Sequence, residues 1–271
     1  MAERRFLPSG VITLTTDFGL RDPFVGVMKG RILARFPAAS VVDLTHEVPA
    51  QAAEEAGFWL ARSFDAFPAG TVHVAVVDPG VGTARAILCA EIAGHLLLAP
   101  DNGLLGAFPA RSLEPTMHVL AESAYAALGI DCVSATFHGR DIFAPVAAEL
   151  AAGRCVPADL GALLGEWQRG QHERPAWDQG ALWGRVITID RFGNLITNIE
   201  GAALASLSSP RVRVGAHVAK LHRTYGETRA GELLALVNAF GVLEVAIAQG
   251  SASEQLGLGR GTLVEVREPG K

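Results

Sequence analysis

The feature of this sequence that most restricts its fold is a change of rhythm near residue 165. Before it, short apolar runs alternate with segments long enough for helices, the pattern of strands joined by helical crossovers. Val11 to Thr16 reads as a buried strand, Asp22 to Phe36 as a helix, Val41 to Leu44 as a strand, Gln51 to Phe64 as a helix and Val72 to Val77 as a strand. A polar, aromatic-containing stretch from Gln168 to Gly180 follows, and then short strand-like runs punctuated by glycine take over: Trp183 to Ile189, Leu195 to Ile199, Arg211 to Val214, Leu233 to Val237, Leu243 to Ala248 and Thr262 to Val266. The pattern predicts an α/β N-terminal domain with a central, mostly parallel sheet over residues 1–167, a linker over 168–180, and a smaller antiparallel β domain over 181–271. No internal repeat or low-complexity segment is present.

Composition narrows the function classes. Apolar residues make up 49% of the 271 and charged residues 19%, ample for a packed core. The 23 Lys and Arg against 28 Asp and Glu leave a net charge of −5, with no basic block, so nucleic-acid binding has little electrostatic support. The opening MAERRFLPSG lacks an apolar run behind its charges, and no stretch approaches the ~18 apolar residues that cross a bilayer. A soluble cytoplasmic protein is expected. Cys89, Cys132 and Cys155 are odd in number, widely spaced and set in apolar runs, which predicts buried small hydrophobes, not disulfides or zinc ligands.

In open α/β sheets, ligands gather outside the carboxyl ends of strands, so chemistry is expected in the loops opened by Asp17, Thr45 and Asp78. Asp17, in Thr15-Thr16-Asp17-Phe18-Gly19, can accept hydrogen bonds from a ligand, or can form the turn itself. In Asp78-Pro79-Gly80-Val81-Gly82-Thr83-Ala84-Arg85 the Pro and Gly residues force a tight loop across which Asp78 and Arg85 can face each other, as functional groups or as an ion pair closing a hairpin. The dinucleotide fingerprint is incomplete here, because its third glycine is missing. In Thr136-Phe137-His138-Gly139-Arg140-Asp141, Gly139 would leave one side of His138 open and Asp141 would cap the helix that follows. His138 can be a base working near neutral pH or a hydrogen-bonded structural residue. His-Gly-Arg-Asp and Asp-Phe-Gly look like protein-kinase loops, but their order is reversed and no Gly-rich loop accompanies them. In the second half, Asp190-Arg191-Phe192-Gly193-Asn194 places a carboxylate, a ring and an amide in one hairpin, suited to a nucleoside or amino-acid ligand or to an ordinary turn.

In order and spacing these segments, together with Ala99-Pro100-Asp101-Asn102-Gly103-Leu104-Leu105 and Gly241-Val242-Leu243-Glu244-Val245-Ala246, resemble the S-adenosylmethionine (SAM) hydroxide adenosyltransferase family, relatives of the SAM-dependent fluorinase and chlorinase. The resemblance runs over nearly the whole chain. It implies a homotrimer with SAM held between one subunit's first domain and its neighbour's second. It implies that Asp17 holds the ribose hydroxyls, that Asp190 and Asn194 grip polar edges of the ligand with Phe192 beside them, and that Tyr225 flanks the adenine. Asn102 and Phe137 join this substrate-binding set through the same segments. Halogenating relatives carry an aromatic residue at the position of Asp78, and a tyrosine and serine at those of His138 and Gly139. The hydrolytic branch carries the Asp, Arg and His set found here as Asp78, Arg85 and His138. Ala239 stands where a serine is common, and Ile196 where the fluorinase has a tryptophan.

The implied reaction is attack of water on SAM, releasing adenosine and methionine, with no cofactor and no metal. The sulfonium already makes methionine a good leaving group, so the task is to orient and activate water, whose unassisted pKa is roughly 15.7. Arg85 would stabilise developing hydroxide, His138 would accept or relay the proton, and Asp78 would orient both. Three alternatives stay open at this point: a SAM or adenosine sensor without turnover, a SAM-dependent halogenase, and a metal-dependent hydrolase built on Asp17, Asp78 and His138.

Overall fold

The computed structural model describes residues 6–268; the first five residues of the N-terminal MAERRFLPSG segment lie outside them. The chain divides into two compact units between His172 and Glu173.

The first unit contains β1 (Val11–Thr16), α1 (Phe24–Arg35), β2 (Ser40–Thr45), α2 (Ala53–Ser63), β3 (Val72–Val76), β4 (Ile87–Ile92), β5 (His95–Pro100), α3 (Ala107–Ala110), β6 (Thr116–Val119), α4 (Ser123–Ala127), α5 (Ala144–Ala151) and α6 (Pro157–Leu160). Its sheet has the order β2-β1-β3-β5-β4-β6, with β2, β1, β3 and β5 parallel to one another and β4 and β6 antiparallel to their neighbours. Parallel strands within a sheet are covered on both faces, and β1, β3 and β5 are accordingly buried almost without a break. Ile12, Leu14, Val72 and Val74 face the side packed by Val25, Met28 and Ile32 of α1 and Val146, Ala147 and Leu150 of α5. Ala75, Val77, Leu88 and Leu97 face the other, packed by Ala56, Leu60 and Ala61 of α2 and by Phe64 and Phe108. The spacing of Val25, Met28 and Ile32 gives α1 the single apolar stripe it buries.

Chain order makes β1 the centre of a topological switch: the crossover through α1 leads to one side of β1, and that through α2 leads back over it to the other. Thr16 pairs in register with Val76, so the loops beginning at Asp17 and at Val77 leave the sheet side by side. Such a switch point opens the crevice in which α/β proteins bind ligands.

The second unit contains β7 (Ala176–Asp178), β8 (Ala181–Ile189), β9 (Leu195–Glu200), β10 (Arg211–Val214), β11 (His217–His222), β12 (Leu233–Val237), β13 (Val242–Ile247), α7 (Ala252–Leu256) and β14 (Leu263–Arg267). Pairing of β14 with β8 closes the sheet into a barrel running β8, β9, β13, β12, β11, β10 and β14, filled by Leu182, Val186, Leu195, Val212, Leu243, Val245 and Val264. Closure removes the exposed edges that an open sheet must protect.

Several expectations are corrected. The β domain is not wholly antiparallel, since β11 and β12 run parallel. The expected linker, residues 168–180, makes contacts of its own. Gln168 N–H donates to Asp101 Oδ1 (2.8 Å), Gln171 N–H to Glu54 Oε1 (2.9 Å), and 176–178 form β7 on β8. The strands β4 and β5 escaped the sequence reading because they are joined by only two residues, Ala93 and Gly94, both with positive φ (50° and 83°). Cys89 and Cys155 are buried as expected, whereas Cys132 is exposed.

One polar cluster sits inside the first unit's apolar layer. Thr13 Oγ1 lies 2.8 Å from His73 Nδ1, and His73 Nε2 lies 3.2 Å from His95 Nδ1. Phe64 and Phe67 pack their rings against His73 at centroid distances of 6.3 and 5.6 Å. Burial drives the His73 pKa down to about 3, and the neighbouring His95 pushes the same way. Burial also lowers the His95 pKa, against a weaker upward pull from Asp65. The folded chain therefore holds His73 neutral while the unfolded chain takes up a proton at about pH 6.5. The stabilisation is complete above that pH and is lost as pH falls from about 6.5 towards 3. Urea unfolding should show His73 alone removing about 2 kcal/mol between pH 7 and pH 5. A His73→Asn protein, whatever its absolute stability, should show a shallower slope over that window; an unchanged slope would place the acid sensitivity elsewhere.

Candidate active site

The loop after β3 is shaped by its own backbone. Val81 N–H bonds to the Asp78 carbonyl at 3.3 Å and Thr83 N–H to the Gly80 carbonyl at 3.2 Å, two successive tight turns. Gly82, at φ +76°, presses against the segment that carries His138: a Cβ there would stand 2.1 Å from the Ala135 carbonyl oxygen. Only glycine permits both that φ and that approach.

The two turns return Arg85 onto Asp78. Arg85 Nε lies 3.0 Å from each carboxylate oxygen of Asp78, and Arg85 Nη2 also bonds to Asp78 Oδ2. Nη2 additionally lies 2.9 Å from His138 Nδ1. The side chains of Asp78 and Arg85 are 4% and 9% exposed. A buried ion pair is a poor way to stabilise a fold, because removing both charges from water costs about as much as their attraction returns. Its presence at the switch point therefore marks a candidate functional site.

The His138 turn is held from below. Ser134 N–H donates to Asp141 Oδ2 (2.9 Å), Phe137 N–H to Ser134 Oγ (3.1 Å), and Arg140 grips both oxygens of Asp141 (2.6 and 2.8 Å). Asp141 thus anchors the turn before His138 and does not cap the helix after it. The Arg140 hydrogen bond, opposed by burial and aided by Ser134, lowers its pKa to about 2. The expectation that Gly139 opens one side of His138 is also corrected. Gly139 is buried, and a Cβ on it would meet Met28 Sδ and Phe137 Cε2 at 3.2 Å each. The chain then makes a π-helical turn, Gly139–Phe143, in which Ala144 N–H reaches back to the Gly139 carbonyl.

Burial lowers the His138 pKa, and the Arg85 charge lowers it further against opposing pulls from Asp78 and Asp141. At neutral pH the ring is uncharged. A guanidinium can only donate, so Nδ1 is the acceptor and Nε2 carries the proton. Arg85 occupies the centre of the set, where its charge opposes a metal ion. Among the described residues no group of three or more His, Cys, Asp and Glu side chains is gathered to hold one.

The other residues singled out by sequence are placed as follows. Asp17 stands at the end of β1 with Oδ2 accepting from Gln51 N–H (2.9 Å). Phe137 makes edge contacts with Phe18 and Phe24 at 5.9 and 5.4 Å. Asn102 supports the Asp78 loop, its Nδ2 donating to the Val77 carbonyl at 2.8 Å and its Oδ1 accepting from Leu104 N–H at 3.3 Å. In the barrel, Asp190 Oδ1 accepts from Phe192 N–H and Asn194 N–H (2.9 Å each), and Asn194 Nδ2 donates to Asp190 Oδ2 (3.0 Å). The carboxylate thus shapes the hairpin that leaves Phe192 76% exposed. Tyr225 is not free: its hydroxyl donates to Glu244 Oε1, while Asn238 Nδ2 lies 3.2 Å from Glu244 Oε2. Burial raises the pKa of Glu244 and, with the Glu244 hydrogen bond, that of Tyr225. Sequence reasoning did not single out Glu244 or Asn238. The signal for Glu244 was available, as a carboxylate inside the otherwise apolar Val242–Ile247 strand.

Comparison with known proteins identifies the family. The family models for the SAM hydroxide adenosyltransferase N-terminal and C-terminal domains match residues 12–161 and 184–265. The chain is similar to proteins named (R)-S-adenosyl-L-methionine hydrolase from Thermus thermophilus (39% identity, covering 93% of this chain and 97% of that protein) and Salinispora tropica (38%, 96% and 98%). A more distant likeness is to a fluorinase from Actinoplanes sp. (27%, 70% and 72%). Among solved structures, an uncharacterized conserved protein from Thermotoga maritima superposes with a TM-score of 0.88 at 33% identity, covering 95% of this chain and all of that one (100%). With both halves matched in order and full-length relatives well above 30% identity, the chain belongs to the SAM hydroxide adenosyltransferase family.

Proposed function

We propose that this chain hydrolyses S-adenosyl-L-methionine. Water attacks C5′ of the ribose, the C5′–S bond breaks with its electron pair going to sulfur, and adenosine, L-methionine and a proton are released. The observation that carries this reading is the hydrogen-bonded set of Asp78, Arg85 and His138 at the switch point, in a chain whose relatives are named for this hydrolysis. Their name also specifies the (R) form. Because "L" already fixes the amino-acid carbon, (R) refers to the sulfonium, and we extend that preference to this chain.

The geometry supports the following roles. Asp78 engages Arg85 with both oxygens and fixes its direction. Arg85, whose side chain is 9% exposed, supplies positive potential where the attacking oxygen gains hydroxide character. His138 meets that water through Nε2–H, as a hydrogen-bond donor. The expected role, to accept or relay the proton, meets one condition, because the Nδ1 lone pair is engaged by Arg85. A proton passes through His138 only when that bond is released. Protonating His138 would set an N–H against the Arg85 N–H, so the neutral ring is the active form. Asp17, Phe137, Asn102, Asp190, Phe192, Asn194 and Tyr225 are assigned to binding or framing the substrate. We extend the reading to a homotrimer with sites at subunit interfaces, a cytoplasmic location and no cofactor beyond the substrate. Among the described residues no helix is long and apolar enough to cross a membrane.

The runner-up is halogenation, favoured by the fluorinase likeness. Incubation of the purified chain with each sulfonium epimer, followed by chromatography, should give adenosine and methionine, faster from the (R) form. Excess chloride or fluoride should yield no 5′-halogenated nucleoside. Such a product would favour the runner-up, and absence of any product would leave a binding protein. Arg85→Ala should lower kcat about a hundredfold with a smaller effect on SAM affinity measured by calorimetry; the reverse pattern would move Arg85 into substrate binding. The kcat–pH profile should rise with pH through the lowered His138 pKa, on the acid side of 6.5, and stay level above it. In His138→Gln that limb should vanish, and its persistence would assign it to another group.

A further inference from the structure

The carboxyl ends of β1 and β2 are joined by a buried polar chain that the reaction itself does not use. His46, 3% exposed, lies just after β2. Its Nδ1 is 2.8 Å from Thr16 Oγ1, and Thr16 Oγ1 in turn accepts from Phe18 N–H at 3.2 Å. The His46 backbone carbonyl accepts from Gly19 N–H at 2.8 Å. On the other side of the ring, Nε2 lies 2.9 Å from Asp43 Oδ1, a close electrostatic contact without the alignment of a good hydrogen bond. Asp43 Oδ2 is held by Lys29 Nζ at 2.6 Å, and both of those side chains reach solvent.

With the His46 ring neutral, these contacts order its protons. A carboxylate beside Nε2 requires Nε2–H, so Nδ1 is the acceptor and the Thr16 hydroxyl donates to it. The Thr16 oxygen is then left with the lone pair that receives Phe18 N–H. The donors run in one direction, and the two backbone N–H groups that follow Asp17 are both satisfied by way of His46. Asp17 itself is fixed from a third point, by Gln51 N–H. Gln51 holds φ +66°, a left-handed conformation that costs a residue with a Cβ stabilisation and persists where surrounding contacts enforce it. Among the described residues this N–H is the one group that meets the Asp17 carboxylate.

We propose that His46 is a positioning residue for substrate binding: through Thr16 and Gly19 it sets the direction in which Asp17 presents its carboxylate to the ribose. This rests on the reading of Asp17 as a ribose ligand. Thr16 is fully buried, so Thr16, His46 and Asp43 form no nucleophilic triad despite their residue types. The chain acts on the loop that carries Asp17, and its effect belongs to affinity.

The test is a double-mutant cycle on SAM affinity, read by calorimetry with kcat measured in parallel. Asp17→Asn, Thr16→Val, His46→Leu, His46→Asn and the pair Asp17→Asn with His46→Leu are compared, with thermal unfolding reporting that each is folded. His46→Leu and the near-isosteric Thr16→Val should each weaken SAM binding about tenfold while kcat at saturation changes less than about threefold. His46→Asn, which keeps an acceptor near Nδ1, should recover part of the loss. In the Asp17→Asn background His46→Leu should add little, because both remove the same interaction. If His46→Leu does not fold, Thr16→Val combined with Asp17→Asn carries the same cycle. Fully additive losses, or normal affinity in both His46→Leu and Thr16→Val while Asp17→Asn is weak, overturn the proposal and leave Asp17 in place. Normal affinity in Asp17→Asn removes the reading of Asp17, and the proposal with it.

Discussion

A guanidinium withdrawn from water cannot be left alone, and the first unit is arranged around that requirement. Arg85 is engaged on one side by both oxygens of Asp78 and on the other by His138, three groups from two loops that meet only because Gly82 has no side chain. Breaking such a buried pair by removing one partner costs about 3–5 kcal/mol, far more than the intact pair contributes. The pair is therefore a constraint on everything near it. It fixes the His138 tautomer, and the Arg85 charge adds to the burial that lowers the ring's pKa.

The sheet supplies the second condition. Because β1 lies between β2 and β3, the polar ends of three parallel strands converge on one crevice, each with its own anchoring. The β3 end is braced by Asn102, the β1 end by Thr16 and His46, and the start of α2 reaches back to Asp17 through Gln51. Polar side chains that look like candidate ligands by residue type thus divide into two groups. Some face the reaction, and others spend their hydrogen bonds holding neighbours in place.

That division accounts for what was legible in the sequence. The strands β1 and β3 could be read because a continuous apolar run that stops at a carboxylate, as at Asp17 and Asp78, is the pattern of a strand buried on both faces of a parallel sheet. The Asp78, Arg85 and His138 set followed from loop chemistry and family order. The barrel strands were legible by their glycine punctuation, but not the parallel pairing of β11 with β12, which depends on which edges meet in space. Asp190 and Asn194 show the limit in side-chain terms. A carboxylate and an amide four residues apart can bind a ligand or close a hairpin, and here they close one while they remain candidates for the other. Asn102 was read as a ligand through the family resemblance and Asp141 as a cap by type, yet their partners, the Val77 carbonyl and the Ser134 N–H, come from segments whose approach no local pattern reveals. Glu244 was hidden in the opposite way, as one charged residue inside an apolar strand whose Tyr225 partner is nineteen positions away.

The wide π-helical turn at Gly139–Phe143 has a consequence for how the chain can change length. Such a turn is an α-helix carrying one surplus residue, and each residue of a helix rotates the face by about 100°. Deleting one residue there would give a regular helix that still buries Val146, Ala147 and Leu150. It would also swing His138 about a quarter-turn away from Arg85 and slide Asp141 out of reach of Ser134. The surplus residue thus sets the phase between a helix whose register is dictated by packing and a histidine whose direction is dictated by a charge. At this point one residue separates a folded chain from an aligned one.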